Sequence, residues 1–176
     1  ISGTDAGYHV LTQGFILAEV VRRVTGKTLG TFFRTEIAEP LGLDYRIGLD
    51  TKDLARCAEW ALPPDSPLAK SIVNPYASAE GAFWQPLAEN EDFNSMGWRT
   101  AEIPSANGHG NARAVSRLYC ALVLGGQDGV HLMKRATLET MITEQHNIKE
   151  RYLGRHYHQG SGVVPSSKPN AWMGPN

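Results

Sequence analysis

The sequence has almost no surplus of charge of either sign. Its 17 Lys and Arg stand against 18 Asp and Glu, for a net charge of −1 with neutral histidines. No basic stripe is present, so nucleic-acid binding has no electrostatic support. Long apolar runs are missing too. The longest, Phe15 to Val24, is broken by Glu19, Arg22 and Arg23. It falls short of the roughly 18 residues a membrane-spanning helix needs. The expected partners therefore include neither nucleic acid nor membrane. Cysteine is scarce. Cys57 and Cys120 do not form a Cys-x-x-Cys pair, which leaves zinc-finger and thioredoxin-like chemistry unsupported. They read as buried or half-buried thiols, and nothing asks for a disulfide. No Gly-x-Ser-x-Gly elbow occurs, which argues against an α/β-hydrolase. No internal repeat is visible.

What is present suits one domain with a real core: 176 residues, 41% hydrophobic and 20% charged. A helix is predicted from about Leu11 to Thr25. Phe15/Leu17, Val21 and Val24 form its apolar face, and Glu19 pairs with Arg23 on the outer side. Gly26 is the expected stop. Thr28 is the expected cap of a second helix, Leu29 to Ala38, with Leu29, Phe32, Phe33 and Ile37 inward. Short strands are predicted over Tyr45–Leu49 and Arg56–Leu62, and a short helix over Ser66–Val73. From Asn74 to Gly110 regularity is poor, and Phe83, Trp84, Phe93 and Trp98 fall in that stretch. A long irregular run in a compact domain suits the rim of an active site. A helix over Asn111–Leu124 should turn Val115, Leu118, Tyr119, Leu122 and Val123 inward. Asp128-Gly129 should turn the chain. A helix follows over Lys134–Thr143, with Leu138, Met141 and Ile142 inward. Strands are expected near Asn147–Leu153 and Gln159–Val164.

Three local patterns invite chemistry. Gly26-Lys27-Thr28 looks like the end of a phosphate loop, but the earlier glycine it requires is Val21. A helix stop and a cap explain it better. His156-x-His158, with His146 nearby, lacks an acidic or Cys partner at ligand spacing, so no metal site is expected. Asn107-Gly108-His109-Gly110 has two readings. One is a set of backbone and side-chain donors for a substrate, with Asn107 and Gly108 as the binding residues. The other is a turn that starts the next helix.

Residues 8–44, YHVLTQGFILAEVVRRVTGKTLGTFFRTEIAEPLGLD, resemble the second-motif region of the serine β-lactamase and penicillin-recognising superfamily. The nearest branch is the class C-like esterases and β-lactamase-related hydrolases. Residues 98–126, WRTAEIPSANGHGNARAVSRLYCALVLGG, resemble the family's pocket-edge loop and the helix after it. The resemblance implies that Tyr8 is catalytic and helps move the proton of a serine nucleophile. A free tyrosine, with a pKa near ~10, is a poor base. A neighbouring ammonium and a helix N-terminus both favour its phenolate. The ammonium would belong to a Ser-x-x-Lys motif, whose spacing puts serine and lysine on one helical face. No lysine of this chain has Ser or Thr three residues before it. The family's second motif is often Tyr-x-Asn, and here it is Tyr8-His9-Val10. Val10, at a substrate-binding position, removes an amide that contacts a β-lactam side chain. That favours ester over lactam.

The resemblance thus implies an α/β (α+β) fold of the β-lactamase/DD-peptidase type, mostly its helical subdomain plus a few strands. Residues 1–176 are expected to be the central part of one such domain, without the nucleophile segment and the third-motif strand. The chain starts at Ile1 and stops within Gly/Pro-rich sequence, which agrees with an internal piece. The expected function is a serine hydrolase acting on a small-molecule ester or amide substrate, with no cofactor and no metal. These 176 residues alone are expected to be inactive. The alternatives are a non-catalytic binding or scaffold homologue, and a D-amino-acid peptidase or β-lactamase. Oligomeric state and compartment are not legible.

Overall fold

The computed structural model describes Gly7 and residues 11–61, 93–149 and 156–164; the side chains of His156 and Tyr157 are outside the description. Among these residues the chain forms five α-helices and two small antiparallel sheets. Helix α1 spans Thr12–Thr25 and ends where expected. Gly26 sits in the left-handed region at φ 73° and donates its N–H to the Arg22 carbonyl at 2.9 Å. A side chain at that φ would be strained, so glycine is the natural stop. Glu19 binds both Arg22 and Arg23 at 2.7 Å on the outer side. Helix α2, Leu29–Phe33, is capped by Thr28, whose Oγ1 accepts from the Thr31 N–H at 3.2 Å. Its continuation over Arg34–Ala38 widens into a π-helical turn. A second tie comes from far along the chain. Glu102 accepts from the Gly30 N–H at 2.8 Å and from the Thr28 hydroxyl at 2.7 Å. These bonds satisfy free donors of the helix start.

The core gathers behind α2. Ala38, Leu41, Leu43, Ala114 and Ala121 are buried, with Phe33, Ile37, Tyr45 and Leu118 packed around them. Helix α3 is Met96–Thr100, capped by Ser95. Helix α4 is Ala112–Val123, and the Asn111 side chain caps it by accepting from the Ala114 N–H at 2.9 Å. Its inward positions are Ala114, Leu118 and Ala121, still at helical spacing but rotated from the face expected from hydrophobicity. Val115, Tyr119 and Val123 are exposed instead. The small side chains let α4 approach the Leu41 segment closely, and Arg117 Nε reaches the Leu41 carbonyl at 2.5 Å. The apolar face expected of α1 is likewise uncovered among the described residues. Phe15, Leu17 and Val24 are exposed, and only Gly14 is buried. The Asp128-Gly129 turn forms as read, with Gln127 and Val130 exchanging hydrogen bonds at 2.9 and 2.8 Å. Helix α5, Arg135–Ile142, turns Leu138 inward and leaves Ile142 exposed, against the expectation for Ile142.

The strands depart more from expectation. Strand β1 is Tyr45–Ile47, inside the predicted range. Its partner β2, Gly108–Gly110, was expected to be a turn or a loop. The register pairs Tyr45 with Gly110, Arg46 with His109 and Ile47 with Gly108. Successive side chains alternate faces. Tyr45 therefore lies over both glycines, and Arg46 and His109 share the other face. A Cβ on Gly108 would collide with the Tyr45 ring, coming within 2.6 Å of Cζ. The strand reads Gly-His-Gly because a tyrosine occupies the space of its side chains. Gly108→Ala should cost about 1–3 kcal/mol through overpacking. The drop should appear as a lower thermal midpoint by circular dichroism. An unchanged midpoint would contradict this packing.

The predicted strand at Arg56–Leu62 does not form over its described part. Thr51–Arg56 make a 3₁₀ helix, and residues 57–61 run on irregularly. Strands β3, His146–Lys149, and β4, His156–Gln159, pair antiparallel. β4 thus begins and ends earlier than the predicted Gln159–Val164, because Gly160 to Val164 turn away. The predicted Ser66–Val73 helix lies outside the described residues, as does much of the irregular 74–110 stretch. Both cysteines are free thiols, Cys57 half-buried and Cys120 exposed.

Candidate active site

A cavity of about 730 Å³ opens on the Arg46/His109 face of the β1–β2 pair. Its walls come from five places: β1 with its flanking Asp44 and Leu49, the 3₁₀ helix with residues 57–60, the segment 93–99 that includes most of α3, the 105–111 loop and strand, and Leu11 just ahead of α1. Helix α3 and the 57–60 segment are joined by one side chain. Asn94 Oδ1 accepts from the Trp60 N–H at 2.7 Å, and its Nδ2 donates to the Trp60 carbonyl at 2.9 Å. Arg99 Nη2 completes the joint, donating to Asn94 Oδ1 at 2.9 Å and to the Ala58 carbonyl at 3.3 Å. This joint brings three rings together. Phe93 meets Trp60 and Trp98 edge to face, each with ring centroids 4.8 Å apart. Nothing local in the sequence pairs Trp60 with Phe93.

The polar walls are ordered by ion pairs. Arg56 binds Asp44 in bidentate fashion, at 2.9 and 3.1 Å, and also reaches Asp53 at 3.2 Å. The guanidinium is the main reason that the Asp44 carboxyl is held below the ordinary carboxylate range. The Ser105 hydroxyl accepts from the Gly14 N–H at 2.9 Å. That bond pins the loop to the first turn of α1.

Both residues proposed for binding at the loop line the cavity. Asn107 is 2% exposed, and its amide is fully engaged. Oδ1 accepts from the Ile103 N–H at 2.9 Å, while Nδ2 donates to the carbonyls of Trp98 at 2.7 Å and Ala101 at 2.5 Å. The Asn107 amide therefore has no donor left for a substrate. It staples the loop. Gly108 lines the cavity from β2, but its residue type answers to Tyr45. Tyr8 and Val10, the other two site residues, lie outside the described residues. Of the 146/156/158 histidines, the His156 side chain lies outside the description. His158 Nδ1 contacts Glu144, an acidic partner the spacing argument missed. No cluster able to hold a metal occurs among the described residues.

His109 is the functional candidate that sequence reasoning left undeveloped. It stands opposite Arg46 and lines the cavity. Its Nδ1 is buried without a hydrogen-bond partner. Burial lowers the His109 pKa below the ordinary 6.5; the Asn107 backbone opposes the shift and Arg99 adds to it. The neutral ring is therefore favoured. A depressed histidine stabilises the fold fully above its unfolded value, and the contribution is lost as pH falls through the folded value. The thermal midpoint should decline as pH drops from about 7 to about 5, and His109→Gln should flatten that part of the curve. An identical slope in the variant would rule the linkage out.

Comparisons with known proteins agree with this architecture. The family model described as beta-lactamase matches residues 2–169. The esterase/beta-lactamase LipL of Mycobacterium tuberculosis (strain H37Rv) is 32% identical over 153 residues, which is 81% of this chain and 36% of LipL. A penicillin-binding protein homologue from Caulobacter crescentus superposes with TM-score 0.80 and 35% identity, over 99% of this chain and 46% of its own. A family VIII carboxylesterase gives TM-score 0.74 and 32% identity, over 99% and 45%. The chain spans 36% of the curated relative's length and less than half of either solved one. The fold is that of the β-lactamases and penicillin-binding proteins, mixed α/β. With the family model matched over nearly all of its length, the chain belongs to the β-lactamase family.

Proposed function

We propose that the full-length protein is a serine hydrolase that cleaves a small carboxylic ester through an acyl-enzyme. The observation that carries this reading is positional. Tyr8, the residue of the family's proton relay, lies three residues before Leu11, and Leu11 lines the cavity. A substrate in that cavity would sit close along the chain to the relay. The nucleophile would be a serine of a Ser-x-x-Lys motif outside residues 1–176. Serine attacks the ester carbonyl, lysine and Tyr8 carry its proton toward the leaving alcohol, and water then releases the acid. Val10 replaces the amide of a Tyr-x-Asn motif and favours an ester over a lactam. LipL, named as both esterase and β-lactamase, supports the ester reading by similarity, as does the family VIII carboxylesterase.

A fluorophosphonate probe on the full-length protein tests this directly. Labelling is expected on one serine outside residues 1–176, together with turnover of a short-chain nitrophenyl ester. These 176 residues alone should remain unlabelled. Full-length protein that is neither labelled nor active would favour the non-catalytic homologue instead.

A further inference from the structure

We propose that the cavity is a specificity pocket for a neutral, hydroxyl-bearing aromatic group, with Trp60, Phe93 and Trp98 as its wall and His109 as its polar anchor. Assigning that group to the substrate ester rests on the reading above. The pocket's preference for an aryl group does not.

The wall has the geometry that aromatic ligands use. Phe93 packs edge to face with Trp60 at 67° and with Trp98 at 86°, and Trp60 remains 45% exposed. A flat ring placed against an indole gains stacking or edge-to-face energy beyond its buried area, which an alkyl group does not. The wall is also prepared in advance. Asn94 holds the Trp60 backbone through both its N–H and its carbonyl, so little ordering remains to be done on binding.

Charge and hydrogen bonding narrow the ligand further. Arg46, Arg56 and Arg99 line the cavity together with Asp44, Asp53 and Glu59. Three cations against three anions leave the lining with no net charge to favour a carboxylate or an amine. Arg46 Nη1 donates to the carbonyls of Leu43 and Tyr45, at 3.1 and 2.8 Å. Arg99 Nη2 donates to Asn94 and to the Ala58 carbonyl. His109 is different: Nδ1 is buried without a partner, so in this proposal a ligand hydroxyl meets the ring at Nε2. A neutral imidazole presents either an N–H or a lone pair there. A phenolic hydroxyl donates and accepts, so it matches both tautomers. A volume near 730 Å³ has room for such a group and more.

The test is calorimetric binding to the full-length protein of 4-hydroxyacetophenone, which carries a ketone in the ester's place and cannot be hydrolysed. Wild-type protein should bind it more tightly than acetophenone, and acetophenone more tightly than cyclohexyl methyl ketone. Trp60→Ala should weaken both aryl ketones by roughly 2- to 10-fold. His109→Leu should weaken 4-hydroxyacetophenone by roughly 5-fold and leave acetophenone unchanged. The ligand series needs no variant, so it stands even if one misfolds. Equal affinity for the aryl and cyclohexyl ketones would overturn the aromatic wall. No advantage of the hydroxyl in wild type would overturn the His109 anchor. Binding of the aryl ketone without turnover of any ester would leave the pocket standing and defeat the hydrolase reading. Ester turnover with no ketone binding would do the reverse.

Discussion

Replacing Tyr8 with Phe in the full-length protein should lower kcat for a short-chain nitrophenyl ester by roughly 10²- to 10⁴-fold, the range for removing a general acid–base. KM should change little. A relay hydroxyl acts on the transition state and not on the bound ester, so kcat and kcat/KM should fall together. Tyr8 stands three residues before Leu11, the N-cap of the 14-residue helix α1, and a helix N-terminus favours an anion. An unaltered circular dichroism spectrum would show that the variant folds. Turnover comparable to wild type would remove Tyr8 from the mechanism.

Asn107→Ala should produce the largest loss of stability of any substitution considered, about 3 kcal/mol or more. Three backbone groups depend on this one amide: the Ile103 N–H and the carbonyls of Trp98 and Ala101. Each buried group left unpaired costs about 1–3 kcal/mol. Chemical denaturation should therefore show a much lower midpoint in the variant. Asn107→Asp separates geometry from chemistry. At neutral pH its carboxylate would face two carbonyl oxygens and repel both, so it should be no better than alanine. In acid, where it regains a donor, it should recover part of the loss. KM measured on the folded fraction should stay near wild type for either variant. A raised KM with unchanged stability would return Asn107 to the role of substrate contact.

The contrast between Asn107 and His109 shows how far local sequence reaches. Both sit in one four-residue run, and both are polar residues next to glycine. Only the fold tells them apart. Asn107 turns inward to three backbone groups of residues 98–103, whereas His109 faces a cavity whose wall also draws on Leu11 and on residues between Asp44 and Trp60, distant in sequence. The same holds for the aromatic trio. Phe93 and Trp98 fall in a stretch whose irregularity marked it as a rim, but Trp60 comes from a segment expected to be a strand. Asn94 makes that joint, and no pattern in the sequence pairs it with Trp60.

What the sequence determined alone is what short-range physics controls. The Gly26 stop, the Thr28 cap and the Asp128-Gly129 turn each follow from φ preferences and side-chain bonds within a few residues. The start of α4 at Asn111 was readable for the same reason. Family membership was readable from residues 8–44 because a tyrosine, a helix stop and a Pro-Leu-Gly-Leu-Asp turn follow one another within a single stretch of sequence. Tertiary structure decided the rest. It rotated the buried face of α4 onto Ala114 and Ala121, since close approach rewards small side chains over large apolar ones. It made a strand of Gly-His-Gly, since Tyr45 supplies the bulk that two glycines lack. It placed His109 against the cavity, since strand alternation sends it to the face its glycine neighbours do not use. None of those outcomes is encoded within any one segment, because each depends on contacts between residues distant in the chain.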